Sequence, residues 1–504
     1  MVAGLAGGSG KSVVAVSLIA ALVRRGHRVA VFKKGPDYID AGWLALAAGR
    51  PCYNLDPYLM TPELIQNSFV EHGRDADLAI IEGNRGLFDG FDLEGSTSSA
   101  GLARLLKLPT LLVVDCTKAT RTVAAQVLGC RHFDSELDLK GVVLNRVGGS
   151  RHENIVRQAV EQYTDLSVLG AFPRSRRDVF PQRHLGVTPA AEHQAGEETV
   201  ADLAHRAEKF LDLEKIVGIM RGNVHSASAS PSLALVSAFS DADVAADTIA
   251  DVGTTAAAAI TTVSAVTAAA APAAPAVTAV SPVGAERRIR IGYLRDVAFQ
   301  FYYPDNLAAL VAAGAELVAI NALRDKILPP LDGLYIGGGF PETSALHLAA
   351  NVSFRESVRK AAFAGLPIYA ECGGLIYLGE SIAIDDREYP LVGVFPVRFG
   401  LARKPQAHGY TKLVVRIPNP YYSVGTVILG HEFRYSTVER TGADPAALVF
   451  TMDRGVGFSH GRDGLSTHNV LALYTHIHAL GTPEWASALV ARSANCRRQV
   501  WWYQ

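Results

Sequence analysis

Short apolar runs alternate with longer helical stretches along this chain, and the alternation occurs twice. Val13 to Arg25 carries apolar residues at helical spacing, whereas Arg28-Val-Ala-Val-Phe32, Leu78-Ala-Ile-Ile81, Thr110-Leu-Leu-Val-Val-Asp115 and Gly141-Val-Val-Leu-Asn145 read as buried strands. Near-continuous apolar strands separated by helices predict an α/β fold, a doubly wound and mainly parallel sheet covered on both faces. The pattern weakens beyond Ile216 and resumes at Arg288-Ile-Arg-Ile-Gly-Tyr-Leu294, Gly333-Leu-Tyr-Ile336 and Leu366-Pro-Ile-Tyr-Ala370, the last followed by a helix from Leu375. Three parts are expected: an α/β domain over 1–215, a linker over 216–286 and a second α/β domain over 287–504.

Composition refines this picture at the linker. Residues 252–285 contain no charged side chain, which superficially resembles a membrane span. They also lack Leu and Phe and are broken by Pro272, Pro275 and Pro282, so a flexible Ala/Thr/Pro-rich connector is expected instead. Over the whole chain 48 basic residues balance 49 acidic ones, leaving no net field to attract nucleic acid or anionic lipid. The cysteines at 52, 116, 130, 372 and 496 are odd in number and show no Cys-x-x-Cys spacing. That argues against a disulfide framework and a zinc site and fits a reducing cytoplasm.

The candidate chemistry lies at the ends of the predicted strands. Gly4-Leu-Ala-Gly-Gly-Ser-Gly-Lys-Ser12 is a phosphate loop opening a helix. Backbone N–H groups around Gly7, Gly8 and Gly10 would cradle phosphate oxygens, Lys11 would neutralise their charge, and Ser12 could ligate Mg2+. Five residues separate Gly4 from Gly10, one more than in the usual motif. Only Met1, Val2 and Ala3 precede the loop, so the first strand is either clipped or starts upstream; N-terminal sequencing of native protein distinguishes the two. Downstream, Lys33-Lys-Gly-Pro-Asp-Tyr-Ile-Asp40 places Asp37 and Asp40 at a strand's C-terminal end, where doubly wound sheets bind ligands. Glu82, capping another strand, is placed to hold a metal or its water. Asn145 could contact a nucleotide base or cap the following turn.

In the second domain Tyr369-Ala-Glu-Cys-Gly-Gly374 reads as strand, sharp turn and helix with a cysteine at the turn. Such an elbow presents the Cys372 sulfur and turns the N–H of Gly373 toward an oxyanion, and the triple glycine of Gly337-Gly-Gly-Phe-Pro-Glu342 could supply further donors. A thiol also needs a base; His476 and His478 flank one residue, and a strand would put both on the same face. His431 joins them only under a metal-site reading, which lacks a second ligand cluster.

Seven motifs in order resemble the cobyrinic acid a,c-diamide synthase family: residues 4–12, 32–40, Glu82-Gly through Asp89-Gly90, 184–190, 337–342, 370–375 and 430–436. The resemblance implies a phosphate-loop ATPase similar to dethiobiotin synthetase followed by a class I glutamine amidotransferase domain lacking the usual third triad acid. It implies that Cys372 attacks L-glutamine, that Gly338, Gly339 and Gly373 hold the oxyanion, and that His476 shuttles the proton. It further implies that Lys11, Ser12 and Mg2+ bind ATP, with Asp37, Tyr38, Asp40, Glu82 and Asp89 handling nucleotide, metal and macrocycle. The expected enzyme is a carbon–nitrogen ligase that amidates the a and c acetates of a corrinoid through an acyl phosphate. Related enzymes amidate sirohaem or nickel-sirohydrochlorin, and switch ATPases of the ParA/MinD kind share the loop without needing a glutaminase elbow. The expected partner is thus a tetrapyrrole, with no nucleic acid or membrane, and a homodimer is compatible with the sequence. Departures from the family pattern are Leu5-Ala-Gly7 for the commoner Thr-Ser-Ser, Lys34 for a small apolar residue, and the long simple linker.

Overall fold

The structure, a computed structural model, describes residues 1–175, 180, 182–183, 186–193, 195–222 and 287–499. His184 and Leu185 of the motif at 184–190 lie outside the described residues, as does 223–286 of the expected linker.

The first sheet contains β1 (Val2–Gly4), β2 (Val29–Lys34), β3 (Cys52–Leu55), β4 (Leu78–Glu82), β5 (Thr110–Asp115), β6 (Leu139–Val147) and β7 (Ser167–Pro173), in the order β3-β2-β4-β1-β5-β6-β7. All its pairings are parallel, as the apolar runs predict. Short β1 lies between β4 and β5, so its end delivers the phosphate loop to the centre of the sheet. The helix Lys11–Arg24 leaves that loop, and buries residues around most of its circumference, because the helix Gly196–Phe210 packs against it from outside the sheet. β2 runs two residues beyond the expected Phe32, through buried Lys33 and Lys34. The linker expected from 216 also needs correction: the helix Leu213–Gly222 buries Ile216 and Val217 in the first core, so these residues are held by packing.

The second sheet has the strands Ala315–Ile320, Ile289–Leu294, Gly333–Ile336, Ile368–Glu371 and Val470–Leu473 side by side and parallel. An antiparallel extension follows, through Arg462–Thr467, Leu448–Arg454, Ala407–Val415, Val427–Arg434 and the two-residue strand His476–Ile477. The alternating half-buried pattern of Ala407–Val415 belongs to this extension, where no intervening helices mark the strands. The helix near Leu375 starts two residues earlier than expected, at Gly373, directly after Cys372.

Both sheets belong to one compact unit. Tyr410 donates to Asp56 Oδ2 at 3.0 Å and stacks on Tyr58, with ring centroids 4.3 Å apart. Tyr58 in turn donates to the Thr411 carbonyl at 3.3 Å, and Gln300 Nε2 to Glu192 Oε1 at 3.0 Å. No helix among the described residues is long and apolar enough to cross a membrane.

Beneath the parallel half, Trp485 is fully buried against Tyr335 and Tyr369, with ring centroids at 5.0 and 5.6 Å. Trp485→Ala removes this support and is expected to cost about 3–5 kcal/mol of unfolding free energy. Denaturant titration measures it, and a loss below about 1 kcal/mol would mean that the strands pack well without the indole.

Candidate active site

In the first domain the loop geometry fixes which side chains meet. Gly10 adopts φ 91°, and a Cβ there would lie 2.0 Å from Asn145 Nδ2, so only glycine fits. Asn145 Nδ2 donates to the Ser9 carbonyl at 2.9 Å and braces the loop from below. Gly7 and Gly8 are exposed at its crest, beside a cavity also lined by Ser9, Asp115, Gln126 and Arg146. Lys11 Nζ donates to the carbonyls of Ala6, at 3.0 Å, and Arg85, at 2.7 Å.

Next to the loop, Ser12 Oγ donates to Glu82 Oε1 at 2.7 Å, and Lys33 Nζ lies 2.7 Å from Asp40 Oδ2 and 3.2 Å from Glu82 Oε1. Burial opposes the Lys33 charge, but Asp40 and Glu82 outweigh it and raise the lysine's pKa. Burial also pushes the Glu82 carboxyl up to about 7, against the pull of Lys33. Asp37 is raised to about 6, by burial and then by Asp40. Asp37 Oδ1 accepts from the N–H groups of Ile39 and Asp40 at the start of the helix Ile39–Ala48. Asp89 Oδ2 accepts from the Gly86 N–H at 2.9 Å and shapes the neighbouring loop. Lys33, the cation joining Asp40 to Glu82, was not singled out by its sequence position, because a lysine inside a strand reads as an edge or a strand end.

In the second domain Cys372 stands between the strand Ile368–Glu371 and the helix Gly373–Leu378 at φ 48°, ψ −97°. Few residues with a side chain occupy positive φ, and the cost is about 1–3 kcal/mol. Its N–H donates to the Leu473 carbonyl at 2.8 Å, and its Sγ lies 3.9 Å from the Phe433 carbonyl. Gly338 packs so closely on His476 that a Cβ would meet Cε1 at 2.3 Å; a Cβ on Gly373 would lie 3.0 Å from Gly339 N. The Gly338 carbonyl is held by the N–H groups of Gln300 and Phe301, at 3.1 and 3.0 Å.

The two histidines have different partners. The strand ends at Ile477, and the chain turns just after His478. His476 interacts with the Cys372 sulfur. Burial alone would lower its pKa, but Cys372 and then Glu371 reverse that and raise it to about 10. His478 Nε2 instead lies 3.4 Å from Asp305 Oδ2, and His72 Nε2 of the first domain lies 3.5 Å from Asp305 Oδ1. His431 stacks on His476, with ring centroids 4.9 Å apart, and burial followed by the His476 charge keeps it well below the usual imidazole range.

Tyr38 joins the two sets. Its ring centroid is 4.4 Å from that of Tyr303, 5.0 Å from Phe301, 5.4 Å from His476 and 5.7 Å from His431. The loop carrying Asp37 and Asp40 therefore closes directly onto the histidines behind Cys372. Phe301 and Tyr303 had no sequence signal, since their role exists only across the domain contact.

A phosphate-loop sheet and a cysteine elbow in one unit define a two-site enzyme of the amidotransferase class. Residues 1–185 match the family described as CobQ/CobB/MinD/ParA nucleotide binding domain, and residues 290–484 the CobB/CobQ-like glutamine amidotransferase domain. Similar over nearly their whole lengths are three proteins named cobyrinate a,c-diamide synthase. That of Magnetococcus marinus is 41% identical, over 95% of this chain and 94% of its own. That of Archaeoglobus fulgidus is 36% identical, over 98% and 97%, and that of Dehalococcoides mccartyi 35%, over 97% of each. The chain belongs to the cobyrinate a,c-diamide synthase family.

The His72–Asp305–His478 contact yields a stability prediction. Burial favours the neutral Asp305 carboxyl, but the two histidines outweigh it and lower its pKa to about 2. The resulting stabilisation is present above the unfolded value of about 3.9 and is lost as pH falls toward about 2. Asp305→Asn is expected to lower stability near neutral pH by about 2–3 kcal/mol and to flatten that acid-side loss. Denaturation measured across this range checks it, and an unchanged profile contradicts it.

Proposed function

We propose that the chain amidates the a and c acetate carboxylates of cobyrinic acid, using L-glutamine as nitrogen donor and ATP as activator. Family membership over the full length supports the substrate, and the pairing of Cys372 with His476 at the elbow carries the glutaminase half. A switch ATPase would have no use for that pairing.

In the glutaminase half, the Cys372 sulfur attacks the carboxamide carbon of glutamine. The N–H groups around Gly338, Gly339 and Gly373 receive the oxyanion, and such donors are worth about 10²–10³ in rate each. His476 delivers the proton that lets ammonia leave as the C–N bond breaks, and water then releases glutamate from the thioester.

In the synthetase half, Gly7, Gly8, Gly10 and Lys11 hold the ATP phosphates, and Asn145 acts through the loop it braces. Ser12 and Glu82 suit Mg2+: both offer hard oxygen atoms, and buried Glu82 Oε2 has no hydrogen-bond partner. Bound there, Mg2+ would offset negative charge on the phosphates. Lys33 bridges Asp40 and Glu82 and holds them in place, while Asp37, Tyr38, Asp40 and Asp89 line the side on which nucleotide and macrocycle meet. A substrate carboxylate attacks the γ-phosphorus and ADP departs. Ammonia then displaces phosphate from the acyl carbon, a step the free carboxylate could not support.

Mass spectrometry of products formed from glutamine, Mg-ATP and a panel of tetrapyrroles tests the substrate. A diamide of cobyrinic acid or its cobalt-free analogue is expected; no corrinoid turnover alongside amidation of sirohaem would reject this choice. Cys372→Ser should abolish glutamine-dependent amidation while free ammonia still supports it, and undiminished glutamine hydrolysis would remove the proposed nucleophile.

A further inference from the structure

The residue two positions beyond His476 is His478, and it is committed to Asp305 and the first domain. No acid is therefore available at that position to orient the imidazole. Glu371 is present instead, on the strand residue immediately before the nucleophile. It is fully buried, and its Oε2 lies 3.6 Å from His476 Nδ1. Tyr335 donates its hydroxyl to the same Oε2 at 3.1 Å, and the Ile477 N–H donates to Oε1 at 3.3 Å. Both carboxylate oxygens are thus fixed, one of them by the residue following His476.

Two observations give this contact a direction. His476 Nδ1 is buried and has no hydrogen-bond partner, and 3.6 Å is a few tenths of an ångström beyond hydrogen-bond range. Catalytic hydrogen bonds in ligand-free enzymes are often long in this way. Around the imidazole stand Cys372, Glu371, His431 and Tyr38. Around the carboxylate stand Tyr335, Tyr302, Tyr303, Tyr369, Tyr38 and Tyr422, and none of these groups is a lysine or arginine. The imidazole of His476 is the basic group placed against this buried carboxyl, and charge on one favours opposite charge on the other.

Successive side chains on a strand point to opposite faces, so Glu371 and Cys372 would not ordinarily serve one imidazole. The positive φ at Cys372 breaks that alternation, while His476 follows Leu473, the pairing partner of Glu371, by three residues. We infer that Glu371 is the positioning acid of the glutaminase, holding Nδ1–H of His476 so that Nε2 serves the Cys372 sulfur. It takes the place of the third triad acid from the opposite side of the nucleophile in sequence. This rests on the reading of Cys372 and His476 as the glutaminase pair.

The test compares glutamine-dependent and ammonia-dependent amidation in the full-length protein. Glu371→Gln keeps the shape and removes the charge. It is expected to lower kcat with glutamine by about 10²–10³-fold, with little change in KM, and to move the alkaline limb of the glutaminase pH profile to lower pH, because the imidazolium loses its counter-charge. Glu371→Asp should restore most of the limb. An unmoved limb, or ammonia-dependent turnover falling in step with glutaminase as in a merely structural role, overturns the inference. If Glu371→Gln does not accumulate, Tyr335→Phe reads the same contact: stripping Oε2 of its hydroxyl donor should move the limb upward, and an unmoved limb again overturns it. Wild-type protein unable to hydrolyse glutamine would instead reject the underlying glutaminase reading.

Discussion

The positive-φ backbone at Cys372 is the constraint on which the second domain is arranged. At φ 48° and ψ −97° Cys372 lies outside the ordinary left-handed region, and a residue with a side chain stays there only when its surroundings hold it. Here the strand Ile368–Glu371 is locked in register with Val470–Leu473, and the Cys372 N–H is tied to the end of that neighbour. The helix beginning at Gly373 pulls the chain away on the other side. Between these anchors the sulfur must project beyond the sheet edge, where the Gly337–Gly339 loop and His476 converge. Large buried side chains pack beneath the turn, among them Trp485, Tyr369 and Tyr335, and the Tyr335 hydroxyl also fixes Glu371.

The same region is where the two domains touch. Tyr38 extends from the loop of Asp37 and Asp40 and lies against Tyr303, His431 and His476. The Asp37–Asp40 segment and the imidazole are thus in direct packing contact through the Tyr38 ring. The neighbouring Asp305, between histidines of both domains, secures the contact electrostatically.

Much of this was legible in the residues. Continuous apolar strands predict the parallel sheets, and the phosphate loop and cysteine elbow are local devices whose geometry follows from glycines at fixed spacing. Their strand and helix ends shifted by one or two residues because Lys33, Lys34 and Gly373 are used inside elements whose propensities disfavour them. What could not be read was set by long-range packing. Strand spacing places His476 and His478 alike and does not say which reaches the sulfur; that is decided by Cys372 beside His476 and Asp305 beside His478. The fold's use of Ile216 and Val217 was hidden because their helix adjoins a simple stretch. Glu371 was visible in sequence beside the cysteine, but only the turn brings it to the imidazole.

The most direct test of the central claim is labelling with 6-diazo-5-oxo-L-norleucine, a glutamine analogue that alkylates glutaminase nucleophiles, followed by peptide mass mapping and assay with glutamine and with ammonia. A single adduct at Cys372, with glutamine-dependent amidation lost and ammonia-dependent amidation retained, is the predicted result. An adduct at Cys52, Cys116, Cys130 or Cys496 with Cys372 unmodified, or full glutamine-dependent turnover by protein labelled at Cys372, would contradict it.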